Sequence, residues 1–257
     1  MKNIFFCFLS LLFLTAPAHA QFRYGIEAGM NMSSMSVNST QSPSVSTSAL
    51  IAYRAGGVLD LRINERIGIQ AGLFYSVLGY KYAYGESGSA NGGSYDFSYN
   101  ATVSENFLRL PINIVFRKPL GNGMFFVAVG PFIGYGLNGK IDGKLHSSVT
   151  AGGQTQNQDS SFKSTFTFKD DSGAVKAIDY GICASIGYEL PVGLFIRAGY
   201  EVALSGLSPL SNQGTQTNNC FSISLGFLFE HTSNGRHMLF TDENRYLPKP
   251  YNRVAYP

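Results

Sequence analysis

The chain has 257 residues, of which 44% are hydrophobic and 14% are charged, and its formal net charge is +3. So small a charge provides no basic patch for nucleic acid, and three cysteines are too few for a disulfide scaffold. The 29 glycines, 20 phenylalanines and 15 tyrosines, with no tryptophan, instead suit one large domain built as a narrow β-barrel with aromatic girdles.

Residues 1–20 have the features of a secretory signal peptide. Lys2 provides a positive charge, residues 4–14 are apolar, and Ala18-His19-Ala20 forms a cleavage site of the small-x-small type. We therefore predict a mature chain that begins at Gln21. No later segment has the roughly 18 consecutive apolar residues that a membrane helix needs, which leaves the periplasm, the medium or the outer membrane as destinations.

Eight later segments alternate apolar residues with polar or small ones, as strands with one apolar face do. In chain order, the predicted strands cover residues 24–33, 53–63, 67–80, 107–117, 125–137, 180–190, 194–204 and 221–229. The clearest is 194–204, where one face is apolar and the other carries Arg197 and Glu201. Eight such segments of about 10 residues are typical of a transmembrane β-barrel.

The connections between these strands alternate between short and long. Three are tight, at residues 64–66, 118–123 and 191–193, and four are long, at residues 34–52, 81–106, 138–179 and 205–220. Outer-membrane barrels have short periplasmic turns and long extracellular loops. A soluble β-sandwich, the alternative, rarely shows this regularity and would expose its glycine-rich face.

We therefore predict an all-β fold, an eight-stranded antiparallel up-and-down transmembrane β-barrel with four long extracellular loops, over residues 21–229. Residues 230–257 would form a periplasmic C-terminal tail. Its Pro and Tyr residues could dock on a periplasmic partner, and a disordered extension is the alternative.

The two faces of the predicted strands differ in charge. The outward positions carry no charge, as expected where a Lys or Arg would cost roughly 2–4 kcal/mol against lipid. The predicted inward charges are Glu27, Arg54, Asp60, Arg62, Arg109, Glu189, Arg197 and Glu201. An eight-stranded barrel is just wide enough for side chains to fill it, and four acids can pair with four arginines. We predict a structural charge network, with a narrow polar conduit or ligand cavity as the alternative.

Two segments resemble a known family. The opening YGIEAGMNM at residues 24–32 is similar to the first strand of the PorT-like outer-membrane β-barrel proteins of the Bacteroidetes, which belong to the porin family. Residues 107–116, FLRLPINIVF, resemble a later strand of that family, with Pro111 at the matching place, although Arg109 and Asn113 depart from its pattern. The resemblance covers about residues 22–229. It implies an eight-stranded OmpA/OmpX-like barrel in a Gram-negative outer membrane and little about activity.

Proline in two neighbouring strands indicates local irregularity. Proline cannot donate a ladder hydrogen bond, so Pro111 and Pro131 predict a bulge or bent seam between the fourth and fifth strands. By parity, Pro131 would face lipid.

Catalytic and metal-binding patterns are weak. Of four histidines, only His146 in the third long loop could reach the outer rim, with Ser147 and Ser148 beside it and Asp142 nearby. Adjacent loop residues do not form a triad, so we predict a solvated loop histidine and no catalytic, cofactor-binding or metal residue. In the same connection we expect a solvated loop over the Gln-rich residues 150–161, whereas residues 162–169 could extend as a hairpin above the membrane.

These observations predict a non-enzymatic outer-membrane barrel with a side-chain-filled interior and a structural, adhesion or secretion-accessory role through its loops and tail. The alternative is a porin-like channel for small solutes or a ligand-binding barrel. The expected partners are outer-membrane lipid and a periplasmic or outer-membrane protein, with no nucleic acid, and the chain is expected to be monomeric.

Overall fold

The computed structural model describes residues 21–37, 46–90, 92–168, 177–205 and 216–230. The predicted signal peptide and the predicted tail beyond Glu230 lie outside these residues. Within the described ranges, no helix is long and apolar enough to cross a membrane. The strands are β1 (Gln21–Val37), β2 (Ser46–Arg62), β3 (Ile67–Ala90), β4 (Gly93–Leu120), β5 (Gly123–Ala151), β6 (Gln154–Phe166), β7 (Ile178–Glu189), β8 (Leu194–Ala203) and β9 (Gln216–Glu230).

Eight of these strands pair into a closed ring. Each strand is antiparallel to its neighbours in the order β1, β2, β3, β4, β5, β7, β8, β9, and β9 pairs with β1 again. The remaining strand, β6, pairs with the second half of β5. The all-β antiparallel prediction is therefore confirmed, with a ninth strand added to the eight predicted ones.

The stagger of the ring shows how its strands are tilted. Residues that lie opposite one another lead from Met32 around the ring to Phe22, ten residues back along β1. The full path is Met32, Phe221, Tyr200, Ala184, Val129, Ile114, Ile69, Leu61 and Phe22. For eight strands this stagger corresponds to a tilt of about 40° from the ring axis.

One end of the ring, which we call the turn end, contains the three predicted tight connections together with Gln21 and Glu230. Its first turn is closed by Asn64, whose Oδ1 accepts hydrogen bonds from the backbone N–H groups of Arg66 at 2.9 Å and Ile67 at 2.7 Å. These bonds add to two backbone hydrogen bonds of the same turn, which the Ile67 carbonyl accepts from the N–H groups of Ile63 at 3.0 Å and Asn64 at 3.1 Å. The predicted short connections are confirmed.

At the other end, β3, β4, β5 and β6 continue past the ring as a four-stranded sheet. We call this the extended sheet and define it as residues 79–90, 93–106, 138–151 and 154–166. The prediction of long loops over residues 81–106 and 138–161 is therefore wrong, whereas the hairpin predicted over residues 162–169 is confirmed as far as Phe166. Backbone ladders form whatever the side-chain polarity, so the polar residues 154–161 form a strand rather than a solvated loop.

The hairpin between β5 and β6 depends on two glycines. Gly152 and Gly153 have φ values of 59° and 78°. Positive φ at both central residues defines a type I′ turn, whose twist matches that of the flanking strands. The two-residue turn pairs Ala151 with Gln154 and sets the register of the whole hairpin.

The prolines do not form the predicted bulge. Pro111 lies opposite Phe132. The register of β4 against β5 is unchanged from Phe107 to the end of β4, apart from a short gap in the ladder at residues 112–113. A missing proline N–H removes a hydrogen bond but adds no residue, so the register is kept. The register shifts instead between Asn106 and Phe107, where β4 and β5 leave the ring. Pro131 faces outward, as predicted.

Candidate functional site

The interior of the ring is filled in layers, and the first lies at the turn end. There Arg23 donates to Asp60 from Nε at 3.1 Å and Nη2 at 2.7 Å, and it also donates to Glu189. Arg117 donates to the other oxygen of Asp60, and Arg62 donates to Glu189 at 3.1 Å. We call these five residues the turn-end charge cluster. The buried acids are thus shared among three arginines.

An apolar layer follows, and arginines from the next layer lie against its rings. Its buried members are Val58, Phe74, Val115, Phe126, Ala128, Phe195 and Leu228. The guanidinium of Arg54 lies 4.1 Å from the centre of the Phe74 ring. Arg197 lies 5.4 Å from Phe126 and 5.3 Å from Phe195. These cation–π contacts stabilise arginines in the apolar surroundings.

A second group of charges lies between this layer and the extended sheet. Arg109 donates to both Glu201 and Asp179, and Arg54 donates to Glu201 at 2.9 Å. Asp179 also accepts a hydrogen bond from Ser205. Every one of these five side chains is buried, so each carboxylate depends on its partners for the hydrogen bonds that water would otherwise provide.

The same group continues around Glu27. Its Oε1 accepts from Ser224 at 2.7 Å, and its Oε2 lies 3.3 Å from Nη1 of Arg197. Arg197 also donates to Gln70. We call Glu27, Arg54, Arg109, Asp179, Arg197 and Glu201 the central charge cluster. It contains three arginines and three acids and is therefore neutral.

An apolar plug closes the interior where the extended sheet begins. The lumen plug consists of Leu78, Phe107, Phe168, Ala177 and Cys220. Phe168 and Ala177 come from the connection after β6, and the Ala177 carbonyl accepts from the Gly136 N–H at 2.7 Å. The Phe168 ring lies 5.2 Å from that of Phe107. Side chains therefore occupy the interior from the turn end to the base of the extended sheet.

Strand β3 bends into the interior beside this plug. Val77, Leu78 and Gly79 are all buried in succession, which breaks the alternation of the strand. The Ser33 hydroxyl donates a hydrogen bond to the Gly79 carbonyl and accepts one from the Gly79 N–H, each at 2.8 Å. Gly79 has a φ of 151°, and a Cβ there would lie 1.9 Å from the Val103 carbonyl oxygen. The bend therefore requires glycine.

All eight charged residues selected from the sequence face the interior, and each lies within 4.0 Å of an opposite charge. The sequence analysis missed four more buried charges, two of each sign, so the balance is kept on the described strands. Arg23 and Asp179 each precede a predicted strand by one residue, whereas Arg117 occupies the last inward position of the predicted strand 107–117. The missed residues are Arg23, Glu105, Arg117 and Asp179.

The outward face of the ring is apolar and bordered by aromatic rings. Near the turn end, the exposed aromatic side chains include Phe22, Tyr24, Phe116 and Phe229. Toward the extended sheet they include Tyr53, Tyr75, Tyr135, Tyr180 and Phe221. Between the two girdles, the outward positions of the described strands carry no charge. In the middle of this belt, Leu225 is 58% exposed.

The extended sheet has two different faces, because opposite residues of antiparallel strands point to the same side. The face that continues the interior of the ring has eight aromatic residues, which we call the aromatic face: Tyr80, Tyr82, Tyr84, Tyr95, Phe97, Tyr99, Phe162 and Phe166. Tyr99 stacks on Phe162 with ring centres 6.1 Å apart and meets Tyr82 edge-on at 5.8 Å. The opposite face is polar.

One carboxylate joins two phenols of the aromatic face. Glu86 accepts hydrogen bonds from the hydroxyls of Tyr84 at 2.7 Å and Tyr95 at 3.2 Å. The carboxylate disfavours a phenolate beside it, and it therefore raises the pKa of both tyrosines. Both hydroxyls stay protonated well beyond neutral pH.

His146 lies on strand β5, on the polar face, rather than in a loop. Its Nδ1 is 2.6 Å from Oδ1 of Asp159, and Ser98 lies opposite it on β4. The predicted neighbour Ser147 points to the other face. The Asp159 side chain is 79% exposed, so water competes for this pair, and it gives no positive sign of catalysis. Across the described residues, no group of three His, Cys, Asp or Glu side chains could hold a metal ion.

Comparison with known proteins agrees with a barrel of the outer membrane. The profile of the outer membrane protein beta-barrel domain family matches residues 16–208. The chain is similar to the structure of Ail, the attachment invasion locus protein of Yersinia pestis, with 13% identity, coverage of 80% of this chain and 98% of that one, and a TM-score of 0.35.

Two other solved structures are similar to a comparable extent. OprG of Pseudomonas aeruginosa is 8% identical, with 83% of this chain and 98% of that one covered and a TM-score of 0.35. CarO of Acinetobacter baumannii is 10% identical, with 78% and 97% covered and a TM-score of 0.33. No curated protein matches the chain in sequence.

Proposed function

Because the chain belongs to the outer membrane protein beta-barrel domain family, we propose that it is a non-enzymatic, closed barrel of the bacterial outer membrane that uses its extended sheet for adhesion. The membership supports the outer-membrane location. The observation that carries the adhesive role is the aromatic face, a row of half-exposed rings on a sheet that continues beyond a filled barrel.

The position in the membrane is supported by the aromatic girdles. On β9, Phe221 and Phe229 are eight residues apart, which is roughly 20 Å along the membrane normal for a strand tilted by about 40°. This is close to the apolar band of about 25 Å in barrels of this class. Short turns are periplasmic in such barrels, so we propose that the extended sheet lies outside the cell.

The layered interior favours adhesion over the porin-like alternative. A solute would have to displace the two charge clusters and the lumen plug. In the clusters, the acids depend on arginines for hydrogen bonds. Removing a partner from a buried charge is costly. The filled barrel is therefore proposed as a rigid scaffold for the sheet above it.

The chemistry of the aromatic face favours a neutral glycan as the partner. Aromatic rings pack against the C–H faces of sugars, and phenolic hydroxyls exchange hydrogen bonds with sugar hydroxyls. Among the described residues, this face has no lysine or arginine, and its only carboxylates are Glu86 and the buried Glu105. A polyanion would find no cation there.

A glycan-binding measurement tests this role. The full chain, reconstituted in lipid nanodiscs, is applied to neutral and acidic glycans, and Tyr99→Ala is compared with Thr102→Ala on the polar face. We expect binding to neutral glycans that Tyr99→Ala weakens by about fivefold, since stacking on one ring contributes about 1 kcal/mol, while Thr102→Ala leaves it unchanged. Binding only to acidic glycans or to proteins, or equal binding by both variants, would contradict the proposal.

The finer assignments remain proposals. The similarity of residues 24–32 and 107–116 to the PorT-like proteins of the Bacteroidetes supports membership of that group. We also propose a signal peptide over residues 1–20, a partner protein for the tail and a monomeric state.

A further inference from the structure

The polar face of the extended sheet has a concentration of lysines next to the ring. Lys81, Lys140, Lys144 and Lys163 lie on three successive rows of this face, and Asp142 is the one carboxylate among them. We call the four lysines the lysine collar. Lys140 lies 2.8 Å from Asp142. The other three have no carboxylate within 4.0 Å among the described residues.

The collar lies on the outward side, farther from the turn end than the aromatic girdle. Lys81 follows the girdle residue Tyr75 on β3 by six residues, and Lys140 follows Tyr135 on β5 by five. At about 3.3 Å per residue and a tilt of about 40°, the two lysines stand roughly 12–15 Å beyond the girdle. At the turn end, the exposed charges of the corresponding rim are Glu65, Arg66 and Lys118. The three collar rows therefore have a larger basic excess than the turn-end rim, and the next two rows of the polar face carry Asp159 and Asp96.

We infer that the lysine collar binds the phosphorylated headgroup of a glycolipid in the outer leaflet. Ammonium groups form strong charge-assisted bonds with phosphate. The polar region of a simple phospholipid leaflet is only about 5–7 Å thick, which is less than the height of the collar. A larger sugar headgroup that carries several phosphates matches this height. Asn100 and Ser104 lie on two of these rows and offer hydrogen bonds to its hydroxyls.

This inference rests on the proposed orientation, with the extended sheet outside the cell. Orientation is measured separately by labelling Lys163→Cys in intact cells with a membrane-impermeant maleimide. Labelling supports the orientation. Its absence in folded protein would overturn the orientation, and with it both the collar and the adhesive role outside the cell, whereas failure of lipid binding with intact labelling would overturn the collar alone. Glycan binding in nanodiscs uses the other face and is measured independently of both outcomes.

The test measures which lipid the full chain retains. Wild-type protein is reconstituted in phosphatidylcholine nanodiscs that contain equal amounts of lipopolysaccharide and phosphatidylglycerol, and the lipid retained after transfer to detergent is counted by native mass spectrometry. The variant K81Q/K140Q/K144Q/K163Q is compared with R66Q/K118Q, which removes two cations from the opposite rim. Resistance to SDS without boiling checks that each variant is folded, and K144Q/K163Q is a milder version.

We expect wild type and R66Q/K118Q to retain lipopolysaccharide at least about tenfold more than phosphatidylglycerol, since a headgroup with several phosphates can bond several lysines at once and a single phosphodiester cannot. The quadruple variant should lose this preference and the double variant should lose part of it. Salt at about 1 M should weaken it, because the Debye length is then about 3 Å. Equal retention of the two lipids by wild type, or an undiminished preference in the folded variants, would overturn the inference.

Discussion

Replacing Arg109 with Met removes the centre of the central charge cluster. Arg109 bonds both Asp179 and Glu201, whose side chains are 0% and 8% exposed, and its guanidinium lies 4.6 Å from the Phe132 ring. Breaking a buried ion pair costs about 3–5 kcal/mol, and the cation–π contact adds about 1 kcal/mol. Glu201 keeps Arg54 and Asp179 keeps Ser205. The remaining contacts offset part of the loss.

We therefore expect Arg109→Met to lower the free energy of unfolding by about 3–5 kcal/mol. The measurement is urea unfolding in lipid vesicles, followed by circular dichroism because the chain has no tryptophan. Adding Asp179→Asn should restore part of the loss by removing an unpaired charge. Lys140→Met, which breaks an exposed pair, is the matched control and should cost about 0–1 kcal/mol. A loss for Arg109→Met no larger than that of the control would refute the reasoning.

Two further predictions concern the lipid belt and the aromatic face. Leu225→Arg, in the middle of the belt, should lower the free energy of unfolding in vesicles by about 2–4 kcal/mol, whereas Thr102→Arg on the polar face of the extended sheet should change it little; equal effects would contradict the assignment of the belt. Glu86→Gln should lower the pKa of Tyr84 and Tyr95 toward the ordinary tyrosine value, because the charge that raises both is removed. Phenolate absorbance in an alkaline titration measures this shift, and an unchanged titration would argue against the shared carboxylate.

Alternation predicted the face of each ring residue, and this was enough to find most of the interior charges. Parity gives the side of a strand but not its height in the barrel. The pairing of Arg23 with Glu189, 166 residues apart, depends on the stagger of the whole ring. Arg23 and Asp179 were missed because each stands one residue outside a predicted strand, where strand ends are least certain.

The extended sheet was missed for a different reason. Residues 154–161 have the composition of a loop, and their strand is set by the Gly152-Gly153 turn and by the ladder to β5. In the sequence, aromatic residues recur at every second position, at Tyr82 and Tyr84 and again at Tyr95, Phe97 and Tyr99. The glycines, serines and asparagine of residues 85–94 lie between these two groups and give the region the composition of a loop. In the region of the proposed adhesive surface, the period of the side chains therefore predicts structure better than composition does.

The filled interior is the central claim, and single-channel recording in planar bilayers tests it most directly. With the full chain inserted, we predict no steady current, because the two charge clusters and the lumen plug occupy the barrel along its length. A steady, ion-selective current from folded protein that persists across independent insertions would contradict the account and favour the porin-like alternative.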